Sequence, residues 1–195
     1  MLLNEFEQKY WPELVMGIDE AGRGPLCGPL SVACCVLPPF YENELINDSK
    51  KLTAKKRDLL YEQIINDALY FKVILVSPQR IDEINILNAT KEAMSELALS
   101  YECAIVLTDA TKLNIDQYHE AIIKGDAKSI SIAAASILAK VTRDRYMEDL
   151  AKQYPQYELD KHKGYPTKRH LELIEEYGIQ DFYRKSYGPV KRLLN

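Results

Sequence analysis

The chain has 195 residues, 47% of them hydrophobic, enough for one well-cored α/β domain and too few for two. Its four cysteines, Cys27, Cys34, Cys35 and Cys103, show neither Cys-x-x-Cys pairing nor nearby histidines. That argues against a zinc or disulfide framework and for free thiols in a reducing cytoplasm. The net charge of −4 advertises no polyanion partner, and the absence of a leader pattern or a bilayer-length apolar run reads as a soluble, cytoplasmic protein.

Val15 to Glu20 reads as a first strand and Leu30 to Leu37 as a second, the latter rich in β-branched and small apolar residues. The short glycine-proline connection between them allows an antiparallel pair. Thr53 to Ala68 is expected to be a helix that starts at Thr53 and carries Leu59, Leu60 and Ile64 on one face. Leu69 to Val76 alternates as a third strand, and helices follow over Pro78 to Ile84 and Asn88 to Ser100. Ala104 to Thr108 is an apolar run leading to Asp109, as in a strand buried on both faces. A short strand is expected near Ala121 to Lys124, then a long small-residue helix over Ser131 to Tyr154. Leu171 to Tyr177 and Val190 to Leu194 complete a helical C-terminal part. Three strands in meander followed by helix-alternating strands predict an α/β fold with a mixed sheet covered by helices. The whole chain, 1–195, reads as one domain, with a core over about 14–155 and the helical part over about 156–195.

Asp19 and Glu20 close the first strand, Asp109 closes a central one, and Asp126 follows Lys124-Gly125 after another. Carboxylates at the ends of adjacent strands converge in space, and their oxygens suit a hard cation, Mg²⁺ or Mn²⁺, that also bridges to phosphates. Two such ions about 4 Å apart would serve a phosphodiester displacement. Neighbours in a regular strand point to opposite faces, so Asp19 and Glu20 share a cluster only if the strand ends or bulges there. Asp144 competes with Asp126 for the fourth place, but it lies between Arg143 and Arg145 inside the long helix, where a local ion pair is the simpler account.

Gly22-Arg23-Gly24 follows the carboxylates. Glycines permit positive φ and a close backbone approach, so the loop is either a tight turn or a backbone reader of a sugar, whose 2′-hydroxyl separates RNA from DNA. It is not a phosphate-binding P-loop, because the Gly-Lys-Ser/Thr end is missing. Ser49 and Lys50 precede a helix and either cap it or bind phosphate. Ser136, Lys140 and Arg143 share a helix face, as a polar stripe in water or against a phosphate backbone. Tyr165, in His162-Lys163-Gly164-Tyr165-Pro166, either stacks on a sugar or base or packs on its own loop. The Gly-Tyr-Pro break separates His162 from His170, which are not read as a metal pair. Charge is uneven: 161–195 hold eight Lys/Arg against four acidic residues, while the first 160 hold 17 against 25. Such a run is a solvated helix face or the basic margin of an acidic, nucleic-acid-handling centre.

Taken in order, GIDEAGRGPLCGPL, NDSKKL, the Asp109 strand, KGDAKSISIAAASILAKVTRDRY, HKGYPTKRH and SYGPVKR resemble the prokaryotic ribonuclease HII (type 2 ribonuclease H) family from about Val15 to Leu193. The resemblance implies an RNase H-like fold, a five-stranded mixed sheet flanked by helices with a helical C-terminal extension. It implies a metal-dependent endonuclease on RNA–DNA hybrids and on single ribonucleotides in duplex DNA, acting as a monomer and leaving 5′-phosphate and 3′-hydroxyl ends. Asp19, Glu20, Asp109 and Asp126 match the family's acidic positions. Gly22, Arg23 and Gly24 match its 2′-hydroxyl-sensing loop, and Tyr165 matches the tyrosine that stacks on the following deoxyribose. Two departures stand out. Ala110 follows Asp109 where many relatives have glycine, and the stretch after Lys191-Arg192 shows no sliding-clamp-binding pattern.

Overall fold

The computed structural model describes residues 3–46 and 52–194. Five strands form one sheet in the order β3-β2-β1-β4-β5: β1 (Val15–Ala21), β2 (Leu30–Val36), β3 (Tyr70–Val76), β4 (Ile105–Asp109) and β5 (His119–Ile122). β1, β2 and β3 pair antiparallel, whereas β1 with β4 and β4 with β5 pair parallel, so the sheet is mixed. Among the described residues, no helix is long and apolar enough to cross a membrane.

The pleat of β1 sorts its side chains. Met16 and Ile18 pack with Val32, Cys34 and Val106 against α2 (Pro78–Ala98), while Val15 joins Ile105, Leu107, Ile122 and Ile132 on the other face. That second face carries α3 (Ile130–Gln153) and α1 (Ala54–Asp67), packed over Ala33, Cys35 and the Ala133-Ala134-Ala135 run. α2 is one continuous run interrupted at Asn85, which takes φ 66° and whose Oδ1 accepts the Asn88 N–H at 3.1 Å. The two helices expected from sequence are therefore its two halves, and a side-chain cap at the break joins them. β5 begins and ends two residues before its expected span, because Lys124 adopts a left-handed φ of 57° and turns the chain into the 3-10 turn Gly125–Ala127.

The C-terminal part adds three short helices, α4 (Leu159–His162), α5 (Lys168–Tyr177) and α6 (Gly188–Lys191). Leu173, Ile174, Tyr183 and Val190 cluster there with Leu26, Cys27 and Met147, so this part packs on the β1–β2 connection and the end of α3. Asp82 of α2 straps it down, its carboxylate accepting the N–H groups of Lys185 and Ser186 at 2.8 and 2.9 Å.

α3 crosses β1 so closely that a Cβ on Gly17 would stand 2.1 Å from the Ser131 carbonyl carbon and 2.3 Å from the Ile132 nitrogen. Backbone cannot rotate away as a side chain can. Gly17→Ala is therefore expected to lower the unfolding free energy by about 3 kcal/mol or more, the upper range for overpacking a core. Urea denaturation at neutral pH measures it, with Ala33→Gly, on the same sheet face, as a comparison that adds no atom.

Candidate active site

Parallel pairing of Ile18 with Thr108 brings the next positions, Asp19 and Asp109, side by side on the face that α3 covers. Asp126 joins them from the 3-10 turn that leads into α3. One carboxylate oxygen from each of Asp19, Asp109 and Asp126 lies within 4.8 Å of the others. Asp19 and Asp126 are buried, and Asp109 is half-buried. Asp109 is oriented by the Gly125 N–H, which donates to its Oδ1 at 2.8 Å. The next residue, Ala110, takes φ 50°, a left-handed conformation that glycine adopts without strain.

Burial first, then the charge of Glu20, holds the Asp19 carboxyl well above the usual carboxylate range; the Ser136 side chain opposes the shift with a hydrogen bond, and Asp109 adds to it. Three acidic groups gathered with two of them buried are a set of like charges that a hard cation would relieve, so the donor chemistry fits a divalent metal. Glu20 behaves differently. β1 continues to Ala21 without ending or bulging, so the pleat turns Glu20 away from the Asp19 face, and it is not among the three oxygens that converge. It stays close enough to act on Asp19 by charge, and Arg23 Nη1 lies 3.4 Å from its carboxylate.

The loop after β1 is held from beneath by two buried arginines. Arg143 of α3 donates from Nε to the Pro29 carbonyl at 3.0 Å, from Nη1 to Lys163 at 3.0 Å and from Nη2 to Cys27 at 3.1 Å. Arg184 donates from Nη2 to the Gly22 carbonyl at 2.7 Å, from Nη1 to Arg23 at 3.0 Å and from Nε to Gly28 at 3.1 Å. Tyr187 adds its hydroxyl to the Arg23 carbonyl at 2.6 Å. Burial, then the charge of Arg184, pushes the Arg143 guanidinium down to about 10, which leaves it charged at neutral pH. Carbonyl and N–H of a trans peptide point in opposite directions. Anchoring the carbonyls of Gly22 and Arg23 to Arg184 therefore turns the N–H groups of Arg23 and Gly24 to the opposite side.

The two loop glycines have separate reasons. Gly22 takes φ 96° and lies over the pinned Arg143, with a Cβ there only 2.1 Å from Nε. Gly24 takes no positive φ; it lies beside Tyr165, whose ring carbon would be 3.7 Å from a Cβ at that position. Tyr165 is 43% exposed, so the aromatic face and the loop backbone border one surface.

The stripe Ser136, Lys140, Arg143 does not form a phosphate-facing row. Ser136 and Arg143 are buried, against Asp19 and beneath the loop. Lys140 pairs with Asp144 at 2.7 Å, and Arg57 approaches that carboxylate at 4.0 Å, so Asp144 is taken up by a local ion pair outside the carboxylate cluster. The expected phosphate contact of Arg143 is thus corrected: its guanidinium is spent on backbone. Ser49 and Lys50 lie outside the described residues. The basic C-terminal run is largely paired locally, Lys161 and Arg169 with Glu158, Lys163 with Glu148 and Lys185 with Asp181. Exposed pairs of this kind are worth about 0–1 kcal/mol each and exchange readily for other anions. Sequence reasoning missed Arg184 and Tyr187 as loop supports, since nothing in Asp181-Phe182-Tyr183-Arg184-Lys185 tells a buried arginine from a surface one.

A family model described as Ribonuclease HII matches residues 16–190. The chain is 53% identical over 185 residues to a ribonuclease HII of Francisella tularensis subsp. tularensis, covering 93% of this chain and 99% of that one. It is 51% identical over 182 residues to a ribonuclease HII of Bacillus cytotoxicus, covering 92% and 70%. The crystal structure of ribonuclease H2 from Pyrococcus horikoshii is similar with a TM-score of 0.76 and 29% identity, covering 92% of this chain and 96% of that one.

Arg184→Met keeps the length of the buried side chain but leaves the carbonyls of Gly22 and Gly28 without these donors. An unfolding free energy about 2–4 kcal/mol lower is expected. Arg184→Lys should recover little of it, because one ammonium group cannot span three carbonyls as a guanidinium does. Guanidinium chloride titrations of the three proteins provide the measurement.

Proposed function

Because the chain belongs to the ribonuclease HII family, it is a ribonuclease H, an endonuclease on RNA–DNA hybrids, and we propose that it also cuts at single ribonucleotides embedded in duplex DNA. The observation that carries this reading is the group of three carboxylates set directly beside a loop whose peptide N–H groups face away from their buried supports. The first element suits phosphodiester hydrolysis and the second a test of the sugar.

In this proposal Asp19, Asp109 and Asp126 hold divalent metal, Mg²⁺ or Mn²⁺ and two ions when substrate is bound, with Glu20 adding its charge from the adjoining face. Divalent cations there supply positive charge against the scissile phosphate and make water a better nucleophile near neutral pH. Ser136 holds Asp19, and the Gly125 N–H holds Asp109, so the carboxylates meet their ligand already oriented. The N–H groups of Arg23 and Gly24 donate to the 2′-hydroxyl of the ribose, a contact that deoxyribose cannot offer. Tyr165 stacks on the deoxyribose that follows. The cut falls on the 5′ side of the recognised ribonucleotide and leaves 5′-phosphate and 3′-hydroxyl ends. The whole chain acts as one catalytic unit and as a monomer. Its four free cysteines agree with a reducing cytoplasm.

Asp109→Asn should lower cleavage of a duplex containing one ribonucleotide by on the order of a hundredfold or more, as for loss of a group that stabilises transition-state charge. Added Mn²⁺ should raise the Tm of the parent protein and leave that of the variant nearly unchanged, a readout independent of turnover. Near-normal cleavage by the variant would remove the metal assignment. Equal cutting of the same duplex with and without its one 2′-hydroxyl would remove the sugar-sensing role.

A further inference from the structure

Tyr165 is presented by a loop that is more tightly wired than an exposed tyrosine needs. Its N–H donates to the His162 carbonyl at 2.9 Å, and its own carbonyl accepts both the Thr167 N–H at 2.8 Å and His170 Nδ1 at 2.9 Å. One residue back, the Gly164 carbonyl accepts the Leu26 N–H at 2.8 Å, which ties this loop to the Gly22–Pro29 segment.

Two imidazoles stand behind this wiring. The rings of His162 and His170 stack with centroids 4.1 Å apart and planes 23° from parallel. Every ring nitrogen has a polar partner, and the partners decide the protons. His162 Nδ1 faces the Gly164 N–H at 3.2 Å and must accept, so its Nε2 carries the proton and donates to the Tyr157 carbonyl at 2.9 Å. His170 Nδ1 faces a carbonyl and must donate, and burial keeps the ring neutral, so its Nε2 accepts from the Tyr183 hydroxyl at 3.0 Å, with Cys27 Sγ also within 4.0 Å. Both rings are therefore neutral with opposite tautomers. Burial, then the repulsion a protonated His162 would exert, pushes His170 down to about 4, and burial also lowers His162, so neither competes for a proton near neutral pH. With all four nitrogens engaged in this way, the pair is not arranged to bind a metal.

We propose that His162 and His170 form a stacked positioning pair that fixes the backbone of Tyr165, keeps its ring beside Gly24, and so sets how strongly the enzyme prefers a ribonucleotide followed by DNA over continuous RNA. The inference rests on the reading of Tyr165 as the group that stacks on the following deoxyribose. Neither histidine touches substrate; both act through Tyr165. The chemical link is the His170 Nδ1–H, since it fills the second acceptor position of the Tyr165 carbonyl, and the stack with His162 holds that donor in plane. An aromatic platform discriminates only if its ring is already in place, because ordering it during binding consumes the stacking energy it would contribute.

The readout is the ratio of kcat/KM on a duplex with one ribonucleotide to that on a continuous RNA–DNA hybrid of the same length, with Mn²⁺ present. Tyr165→Ala is measured first; if the ratio does not change, the ring is not the reader, and the inference falls with that reading. With that ratio shown to depend on Tyr165, His170→Leu is expected to lower it about tenfold, the equivalent of one buried hydrogen bond. His170→Asn, whose amide nitrogen stands where Nδ1 stood, should recover most of it. The double variant His170→Leu/Tyr165→Ala should show no further fall beyond Tyr165→Ala, because the histidine has no other route to the substrate. A ratio unaltered in folded His170→Leu, or an equal loss on both substrates, overturns the proposal. Should circular dichroism show His170→Leu unfolded, the near-isosteric His170→Phe decides: it keeps an aromatic ring in the stack and removes the Nδ1 donor, a lowered ratio supports the proposal, and an unchanged one overturns it.

Discussion

The close contact of α3 with β1 at Gly17 sets most of the distances that matter in this molecule. Helix and strand run alongside each other from that point. Five residues of strand, from Gly17 to Gly22, advance about 17 Å. The helix from the Ser131–Ile132 peptide to Arg143 advances about the same distance. Ser136 consequently meets Asp19, and Arg143 arrives beneath Gly22, without either needing a dedicated loop. A bulkier residue at position 17 would lift the helix and separate both pairs at once. The run Ala133-Ala134-Ala135 serves the same contact from the helix side by keeping that face thin.

This contact also divides the acidic residues by role. The face of the sheet under α3 receives Asp19 and Asp109 through parallel pairing, while the 3-10 turn before the same helix delivers Asp126. Glu20 belongs by the pleat to the other face and influences the group by charge. Concentrating like charges in a buried place is costly, as the raised Asp19 shows, and the cost is acceptable in a site whose proposed ligand is a cation. The proposed metal assignment and the electrostatics thus rest on one arrangement.

The loop beside the carboxylates shows how a glycine-rich segment is made rigid. Its carbonyls are taken by guanidinium groups from two distant parts of the chain, α3 and the C-terminal part, which is itself strapped to α2 by Asp82. Buried arginines suit this task because a planar fork reaches several carbonyls at fixed angles. The surface lysines and arginines nearby do different work, pairing with neighbouring carboxylates in contacts weak enough to be traded for phosphate.

Much of this was legible in the chain before folding was considered. Strand alternation, the apolar run before Asp109 and the helix start at Thr53 are local patterns. The strand patterns placed every strand within two residues and located the carboxylates at or near strand ends, while the Ser129 cap of α3 came only with the structure. The order of the motif blocks carried the family. What one-dimensional pattern could not carry was direction. Ser136, Lys140 and Arg143 share a helix face by spacing, but only the docking of α3 decides that Ser136 and Arg143 turn inward while Lys140 pairs with Asp144 at the edge. Arg184 and the His162–His170 stack are contacts between residues remote in sequence or separated by a turn, and their meaning depends on burial that no local pattern reports. Sequence by itself determined which residue types stand at the strand ends, because strand and helix periodicity is a property of neighbours. Tertiary structure alone decided which polar groups face the proposed substrate and which hold the backbone, because hydrogen-bond partners across the fold exist only once the layers have packed.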